Sequence, residues 1–389
     1  MRKMGWTSVR NPEQKRRNPL ELYVHIPFCV KKCAYCDFLS GPAGEKEQEA
    51  YVQALLEEIH HTEEGRDQEV VSIFLGGGTP SLLKPQWVEE ILLELGKSFR
   101  ISSQAEITIE ANPGTLTWEK LRSYQTAGIN RISLGLQSVD ADALRTLGRI
   151  HSYEEFLQSF SMAREAGFSN INVDLMCAIP GQTYEDWVRN LRTVAALGPE
   201  HISAYSLILE EGTPFYEQEL DLPDEDTEYR MYEETAGILK EYGYHQYEIS
   251  NYAREGYSCR HNVGYWKRRE YLGLGLGASS LYEETRYKNT SDMEEYKRKS
   301  HCPKALRQEK ERLTLREQME EFMFLGLRMT EGISEKEFQE AFSSSLPMEY
   351  IQILEKYRSV GLMEKEGDFW RFTRRGIHVS NHILAEFLE

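Results

Sequence analysis

Basic residues are scarce in this chain. Its 389 residues carry 46 Lys and Arg against 63 Asp and Glu, a formal net charge of −17. Gripping a nucleic-acid duplex takes a surface rich in Lys and Arg, so this balance argues against a broad nucleic-acid footprint. The one basic patch, Lys15-Arg16-Arg17, reads as a solvated tail rather than a binding arm. Long apolar runs are also missing. No stretch reaches the roughly 18 residues that a membrane span needs. Met1-Arg-Lys-Met-Gly-Trp6 is basic but lacks the apolar core of a secretory signal, so none is expected there. Cysteine is rare too, with six in all. They form no disulfide framework, and free thiols fit a reducing cytoplasm. What is present is 40% hydrophobic content, enough for real cores in about two to three domains.

Half of the few cysteines crowd into one stretch, Tyr23-Val-His-Ile-Pro-Phe-Cys29-Val-Lys-Lys-Cys33-Ala-Tyr-Cys36-Asp37-Phe38. The spacing is C-x3-C-x2-C. Three thiolates on a short loop can hold three corners of a [4Fe–4S] cubane and leave the fourth iron without a protein ligand. That open iron can be chelated by the amino and carboxylate groups of S-adenosylmethionine (SAM), whose sulfonium bond breaks on one-electron reduction. A zinc site would ask for four ligands in a closed tetrahedron, and Cys177, Cys259 and Cys302 are scattered. The motif resembles that of the radical SAM superfamily.

Residues 1–20 are polar and aperiodic and read as an N-terminal tail. A regular alternation follows. Strand patterns at 21–25, 70–75, 106–110, 131–134, 170–175 and 201–207 interleave with helical patterns at 48–60, 84–99, 117–127, 153–166 and 184–197. Parallel strands need helix-length crossovers, so this alternation predicts a (β/α)6 partial barrel over 21–215. Ligands of such barrels sit at the C-terminal strand ends. The unusual residues fall there: the cysteine loop, Gly76-Gly77-Gly78-Thr79-Pro80, Glu110 with Asn112-Pro113, Gln137 in Leu134-Gly-Leu-Gln137-Ser138, and Asp174. Consecutive glycines let a ligand approach the backbone closely, although such a run also suits a tight turn. Glu110 could bind a ribose diol or an ammonium, or cap a helix. Arg149 could fork onto a carboxylate or lie on the surface.

Taken in order, Tyr23-x-His-Ile-Pro-Phe-Cys29, Gly-Gly-Gly-Thr79-Pro, Glu110-x-Asn-Pro, Leu-Gly-Leu-Gln137-Ser, Arg149 and Asn172-Val-Asp174 resemble the oxygen-independent coproporphyrinogen III oxidase family. The resemblance implies SAM contacts from Tyr23, Gly77, Gly78, Thr79 and Glu110. It also assigns Gln137, Arg149 and Asp174 to SAM, in part to a second molecule. Tyr35, inside the cysteine loop, joins the cofactor-binding candidates.

Beyond residue 215 a mixed connecting segment runs to 315. It holds an acidic, tyrosine-rich helix at 227–242, an edge strand at 244–252 and a glycine-spaced run at 272–278. Residues 316–389 read as three helices, a hairpin at 362–373 and a last helix, a winged-helix-like pattern expected to pack on the barrel rather than bind DNA. Two departures separate the chain from the oxidases. Phe38 stands where they carry a fourth cysteine, and only some 20 residues precede the first strand. Cys36-Asp37-Phe38 and His261-Asn262-x-x-Tyr265-Trp266 instead resemble the haem-chaperone branch, HemW. That likeness implies haem binding and delivery to an acceptor protein, with an electron donor if SAM is cleaved and a homodimer as a further expectation. Imidazole is a standard axial haem ligand, so His261 is the candidate ligand, with Tyr265 or Trp266 shaping a porphyrin pocket, while a packed core histidine is its other reading. Oxidative decarboxylation of coproporphyrinogen III is the alternative activity.

Overall fold

A computed structural model describes residues 18–388, so the tail read over 1–20 lies outside the described residues as far as residue 17. The alternation seen in the sequence is the fold. Strands β1 (Leu20–Ile26), β2 (Glu69–Gly77), β3 (Arg100–Ala111), β4 (Arg131–Gln137), β5 (Ile171–Cys177) and β6 (His201–Ser206) pair in parallel in chain order. Between them run α1 (Glu45–His61), α2 (Pro85–Ser98), α3 (Trp118–Thr126), the short α4 (Ala141–Thr146), α5 (Tyr153–Glu165) and α6 (Tyr184–Leu197). Side chains alternate along a strand. On β1, Leu20, Leu22, Val24 and Ile26 share the core with Tyr51, Val52, Leu55 and Ile59 of α1. Glu21, Tyr23 and His25 therefore face the barrel interior.

Helix starts follow local chemistry. Thr117 accepts the Lys120 amide at the head of α3, as its sequence signals. Ser152 with Glu155 and Thr183 with Asp186 close capping boxes on α5 and α6, satisfying amides that have no intrahelical partner. Asp140 caps α4, a helix too short to show a periodic pattern.

The connecting segment adds strands to both edges of this sheet. After α7 (Glu225–Lys240) the stretch expected as one edge strand is two, β7 (His245–Gln246) and β8 (Asn251–Ala253), antiparallel beside β6. The break has a cause: Tyr247 turns inward to His201, and the buried Glu248 carboxylate accepts the Ser250 amide at 2.8 Å. Next comes α8 (Arg260–Trp266), and then the glycine-spaced run forms β9 (Tyr271–Leu274), parallel to β1. Strands β10 (Ser279–Tyr282), β11 (Thr285–Asn289) and β12 (Arg307–Arg312) extend that edge, with α9 (Met293–Lys299) between the last two.

The C-terminal region has its own apolar core, built on Met323, Phe338, Leu354 and Trp370. Helices α10 (Leu315–Gly326), α11 (Glu335–Phe342) and α12 (Met348–Ser359) precede the hairpin of β14 (Met363–Glu366) and β15 (Phe369–Phe372). A two-residue strand, β13 (Ile333–Ser334), joins that hairpin, and its Ser334 caps α11 as expected. The final helix is split into α13 (Arg374–His378) and α14 (Ser380–Ala385). This unit docks on the connecting segment through His378 on Glu233 of α7 and through Glu321 on Arg268 just past α8 at 2.7 Å. Among the described residues no helix is long and apolar enough to cross a membrane.

Candidate functional site

Strand β1 runs out at Pro27, and the cysteine loop begins one residue beyond Phe28. The loop is pinned by its backbone. Cys29 N donates to Gly41 O at 2.9 Å, Ala34 N to Leu147 O at 3.1 Å, and Phe215 N to Ala34 O at 3.1 Å. His25 ties the loop down from inside. Its Nε2 lies 2.9 Å from Leu39 O, and Nδ1 lies 2.9 Å from the Tyr23 hydroxyl. These partners assign the proton to Nε2, with Tyr23 donating to Nδ1. Burial holds the His25 imidazole below its usual range, in its neutral form.

All three loop cysteines are free and half-buried. Thr79 Oγ1 is 3.6 Å from Cys29 Sγ, and Arg149 Nη1 donates to Cys33 Sγ at 3.6 Å. Burial pushes the Cys36 thiol up; the Phe38 backbone opposes this, and the neighbouring Cys33 and Cys29 add to it. Among the described residues no three His, Cys, Asp or Glu side chains converge on a point for a single metal ion. A cubane does not ask for one, because each thiolate holds a different iron.

Beside the loop lies the end of β2, where the three glycines are dictated by space. A Cβ on Gly78 would sit 2.6 Å from Phe28 O, and one on Gly77 would sit 2.5 Å from the His25 ring. Gly77 also has a φ of 110°, a conformation that side chains oppose. Its amide donates to Glu110 Oε2 at 3.1 Å, so Glu110 faces the glycine turn and is not a helix cap. Burial, and then the nearby Asp174 carboxylate, push the Glu110 carboxyl up to about 8. Asp174 accepts from Asn172 Nδ2 at 2.7 Å and from Ser133 Oγ at 3.3 Å. Burial raises its pKa as well.

Arg149 is not a surface arginine. Its Nη2 donates to Asn112 Oδ1 at 2.6 Å and to Gly135 O, while Asn112 Nδ2 donates to Thr79 Oγ1 at 2.8 Å. Tyr35 packs beside it in a small apolar cluster with Leu147 and Phe215. Burial drives the Tyr35 phenol up, against the pull of Arg149. Gln137 ends β4 with a φ of 73°, unusual for a residue with a side chain. It is 5% exposed, and its Oε1 has no hydrogen-bond partner. A buried orphan acceptor on strained backbone is costly to folding and clusters at ligand sites. The mouth thus gathers Tyr23, Cys29, Cys33, Cys36, Tyr35, Gly77, Gly78, Thr79, Glu110, Gln137, Arg149 and Asp174.

His261 is not among them. It lies on α8, which plugs the opposite, N-terminal end of the barrel. Its Nδ1 is 2.9 Å from Ser72 Oγ, its Nε2 is 3.1 Å from the Tyr265 hydroxyl, and its amide donates to Glu106 Oε1 at 3.3 Å. The ring stacks on Phe74 at 5.2 Å and is 2% exposed. Burial, then Arg131 and Arg269, push the imidazole down to about 3. Both ring nitrogens are bonded and no face is open. This arrangement favours the packed-core reading over the haem-ligand one. Trp266, expected to shape a porphyrin pocket, lies under the Arg328 guanidinium at 4.9 Å.

Sequence reasoning missed Arg131 and His201 in the barrel interior. His201 bridges Asn172 Oδ1 at 2.6 Å and the Tyr247 hydroxyl at 2.8 Å, and so braces Asp174 from behind. The signal was there: polar residues at 131, 133 and 137, at 172 and 174, and at 201 and 203 repeat with the period of a strand face.

The comparisons with known proteins agree with this geometry. Residues 23–194 match the family described as the radical SAM superfamily, and residues 313–379 match the HemN C-terminal domain. The heme chaperone HemW of Bacillus subtilis (strain 168) is 36% identical over 372 residues, covering 94% of this chain and 98% of that protein. The heme chaperone HemW of Escherichia coli (strain K12) is 35% identical over 379 residues, covering 95% and 98%. A mitochondrial protein of Danio rerio, radical S-adenosyl methionine domain-containing protein 1, is 35% identical over 331 residues, covering 82% and 74%. Among solved structures, coproporphyrinogen III oxidase (HemN) from Escherichia coli superposes with a TM-score of 0.82 at 23% identity. The match covers 96% of this chain and 90% of that one, which shows a shared fold.

Proposed function

Since the chain belongs to the HemW heme chaperone family of radical SAM proteins, we propose that it binds haem and hands it to an acceptor protein while carrying a SAM-ligated [4Fe–4S] cluster at the barrel mouth. The convergence of three free thiols, the glycine turn and the orphan Gln137 acceptor at one end of the barrel supports this reading. Cys29, Cys33 and Cys36 would hold the cluster. When bound, the cluster and SAM supply one-electron reduction and a cleavable sulfonium.

The chain's own residues set the stage for that pair. The Gly77 and Gly78 backbone leaves room for a ligand at the end of β2, and Thr79 stands beside Cys29. Glu110 and Asp174 are the acceptors for a cationic or hydroxylated ligand, with Gln137 Oε1 as a third. Arg149 lays positive charge on Cys33 while its other terminal nitrogen holds Asn112 and the Gly135 carbonyl. Tyr23 and His25 fix the loop from within, and Tyr35 closes its inner side. The polar network behind Asp174 holds that carboxylate without exposing it.

Anaerobic reconstitution tests the reading. Iron and sulfide near four each per chain, one SAM in calorimetry and one haem by its Soret band are expected, with no protoporphyrinogen from coproporphyrinogen III. Zinc in place of iron would contradict the cluster. Protoporphyrinogen formation at enzyme-like rates would make the chain an oxidase, and failure to take up haem would end the chaperone reading.

A further inference from the structure

One carboxylate lies inside the apolar core and takes no part in the mouth. Helix α1 turns Tyr51, Val52, Leu55 and Ile59 into that core, and Glu58 is buried on the same face. Packing alone would favour an apolar side chain there, because a buried charge is costly unless it is hydrogen-bonded. Glu58 is 2% exposed, and its donors all come from the connecting segment. Gly275 N donates to Oε2 at 2.8 Å, the Tyr296 hydroxyl to Oε2 at 2.6 Å and Asn289 Nδ2 to Oε1 at 2.6 Å. Burial pushes the carboxyl up to about 7, against the pull of these donors. Asn289 Nδ2 also donates to Gly275 O at 2.9 Å, so the first residue beyond β9 is held by its amide and by its carbonyl.

The turn fixed in this way touches both stems of the cysteine loop. Tyr51 donates its hydroxyl to His25 O at 2.6 Å and accepts the Leu276 amide at 3.0 Å. Its ring meets Phe28 edge-on and stacks on Tyr296, each at 5.3 Å. No space is left at the turn. A Cβ on Gly275 would sit 2.7 Å from His25 O, and one on Gly277 would sit 2.5 Å from Leu39 Cδ2. Leu39 is the residue whose carbonyl the His25 ring holds. The three cysteines therefore lie on a loop whose incoming stem, at His25, and outgoing stem, at Leu39, both rest on residues 275–277.

We propose that Tyr51 and Glu58 are positioning residues for the cluster, and that the connecting segment completes the cluster site by clamping both stems of the cysteine loop. The inference rests on the cluster reading above. Neither side chain acts on a cysteine directly. Both act on the spacing of three thiols that must hold three corners of one cubane.

The full chain tests this, first without cluster and then after anaerobic reconstitution. In the cluster-free chain, Tyr51→Phe should speed amide hydrogen exchange in peptides covering 26–41 by about tenfold, while peptides covering 348–359 keep the parent's rates. After reconstitution its reduced-cluster EPR signal should broaden, and SAM should bind about tenfold more weakly. Glu58→Gln sets an amide donor against the donors it must accept, and should show the same changes. Tyr244→Phe is the control. It removes a buried hydroxyl that donates to Pro199 O at 2.6 Å before β6, and it should alter neither loop exchange nor SAM binding. Parent-like exchange and SAM affinity in both Tyr51→Phe and Glu58→Gln would reduce the network to core packing and overturn the proposal. Faster exchange over 26–41 and 348–359 alike would mean general loosening and overturn it too. A parent chain that takes up no cluster would instead refute the cluster reading, and exchange in the cluster-free chain would then decide the clamp alone.

Discussion

The two ends of the barrel are built from the same kinds of residue and treat them differently. At the floor, Glu106 accepts three donors from the start of α8, His261 is bonded at both nitrogens, and Arg269 pairs with Glu21 at 2.7 Å, although Glu21 Oε2 has no hydrogen-bond partner and burial pushes that carboxyl too up to about 8. At the mouth, Gln137 keeps an orphan acceptor on strained backbone, Glu110 is pushed up to about 8, and three free thiols share one loop. Polar groups that satisfy one another stabilise a fold. Polar groups left unsatisfied cost stability, and that cost persists in a folded chain when a ligand offsets it. The floor's orphan lies inside an ion pair, whereas the mouth's lies near free thiols and a glycine turn, so substitutions at the two ends should have opposite signatures.

The sharpest contrast comes from the cysteines. Changing Cys29, Cys33 and Cys36 together to Ser should abolish iron and sulfide incorporation, yet leave the unfolding midpoint of the cluster-free protein within a few degrees. At the floor, Gly264→Ala should do the reverse. A Cβ there would sit 1.8 Å from Glu21 Oε1, inside a buried ion pair. We expect a loss of about 3 kcal/mol in urea unfolding. Gly96→Ala in α2, where a Cβ meets nothing within 4 Å, should gain about 0.5–1 kcal/mol as the control.

Glu110→Gln separates stability from function within one residue. Its carboxyl titrates near 8 in the folded chain against 4.5 for a free one. Ionising it therefore erodes stability as pH rises from about 4.5 to 8, so the Gln variant should become progressively more stable than the parent across that window. SAM affinity in anaerobic calorimetry should nonetheless fall about ten- to a hundredfold, the worth of one charge-assisted hydrogen bond. A variant that binds SAM as tightly as the parent would remove Glu110 from the site.

His261 sharpens the contrast through acid alone. Its imidazole is depressed to about 3, so its contribution is complete above the unfolded value of 6.5 and is lost as pH falls towards 3. Relative to His261→Gln, the parent should lose about 2 kcal/mol between neutral pH and pH 5. Equal acid slopes in the two proteins would mean that the imidazole is not buried neutral.

The mouth was easier to read than the floor, for physical reasons. A ligand site on strand ends concentrates short-range signals: C-x3-C-x2-C, a glycine run, Glu110-x-Asn112-Pro. Strand and helix order followed from periodicity alone, and caps such as Thr117 and Ser334 were legible one residue at a time. The floor depends on long-range pairing. His261 reaches Ser72 across 189 positions. Nothing near His261 distinguishes a ligand from a plug, and the aromatic neighbours that suggested a porphyrin pocket are what packs it. The edge strand at 244–252 broke for the same reason, because Tyr247 answers to His201 and not to its neighbours.

The central claim, that the mouth presents a cluster with an iron open to SAM, is tested most directly by EPR of the reduced, reconstituted protein with and without SAM. The account predicts a [4Fe–4S]⁺ signal whose g-values shift when SAM is added, in the parent and in His261→Gln alike. A signal that SAM leaves unchanged in the parent would contradict it.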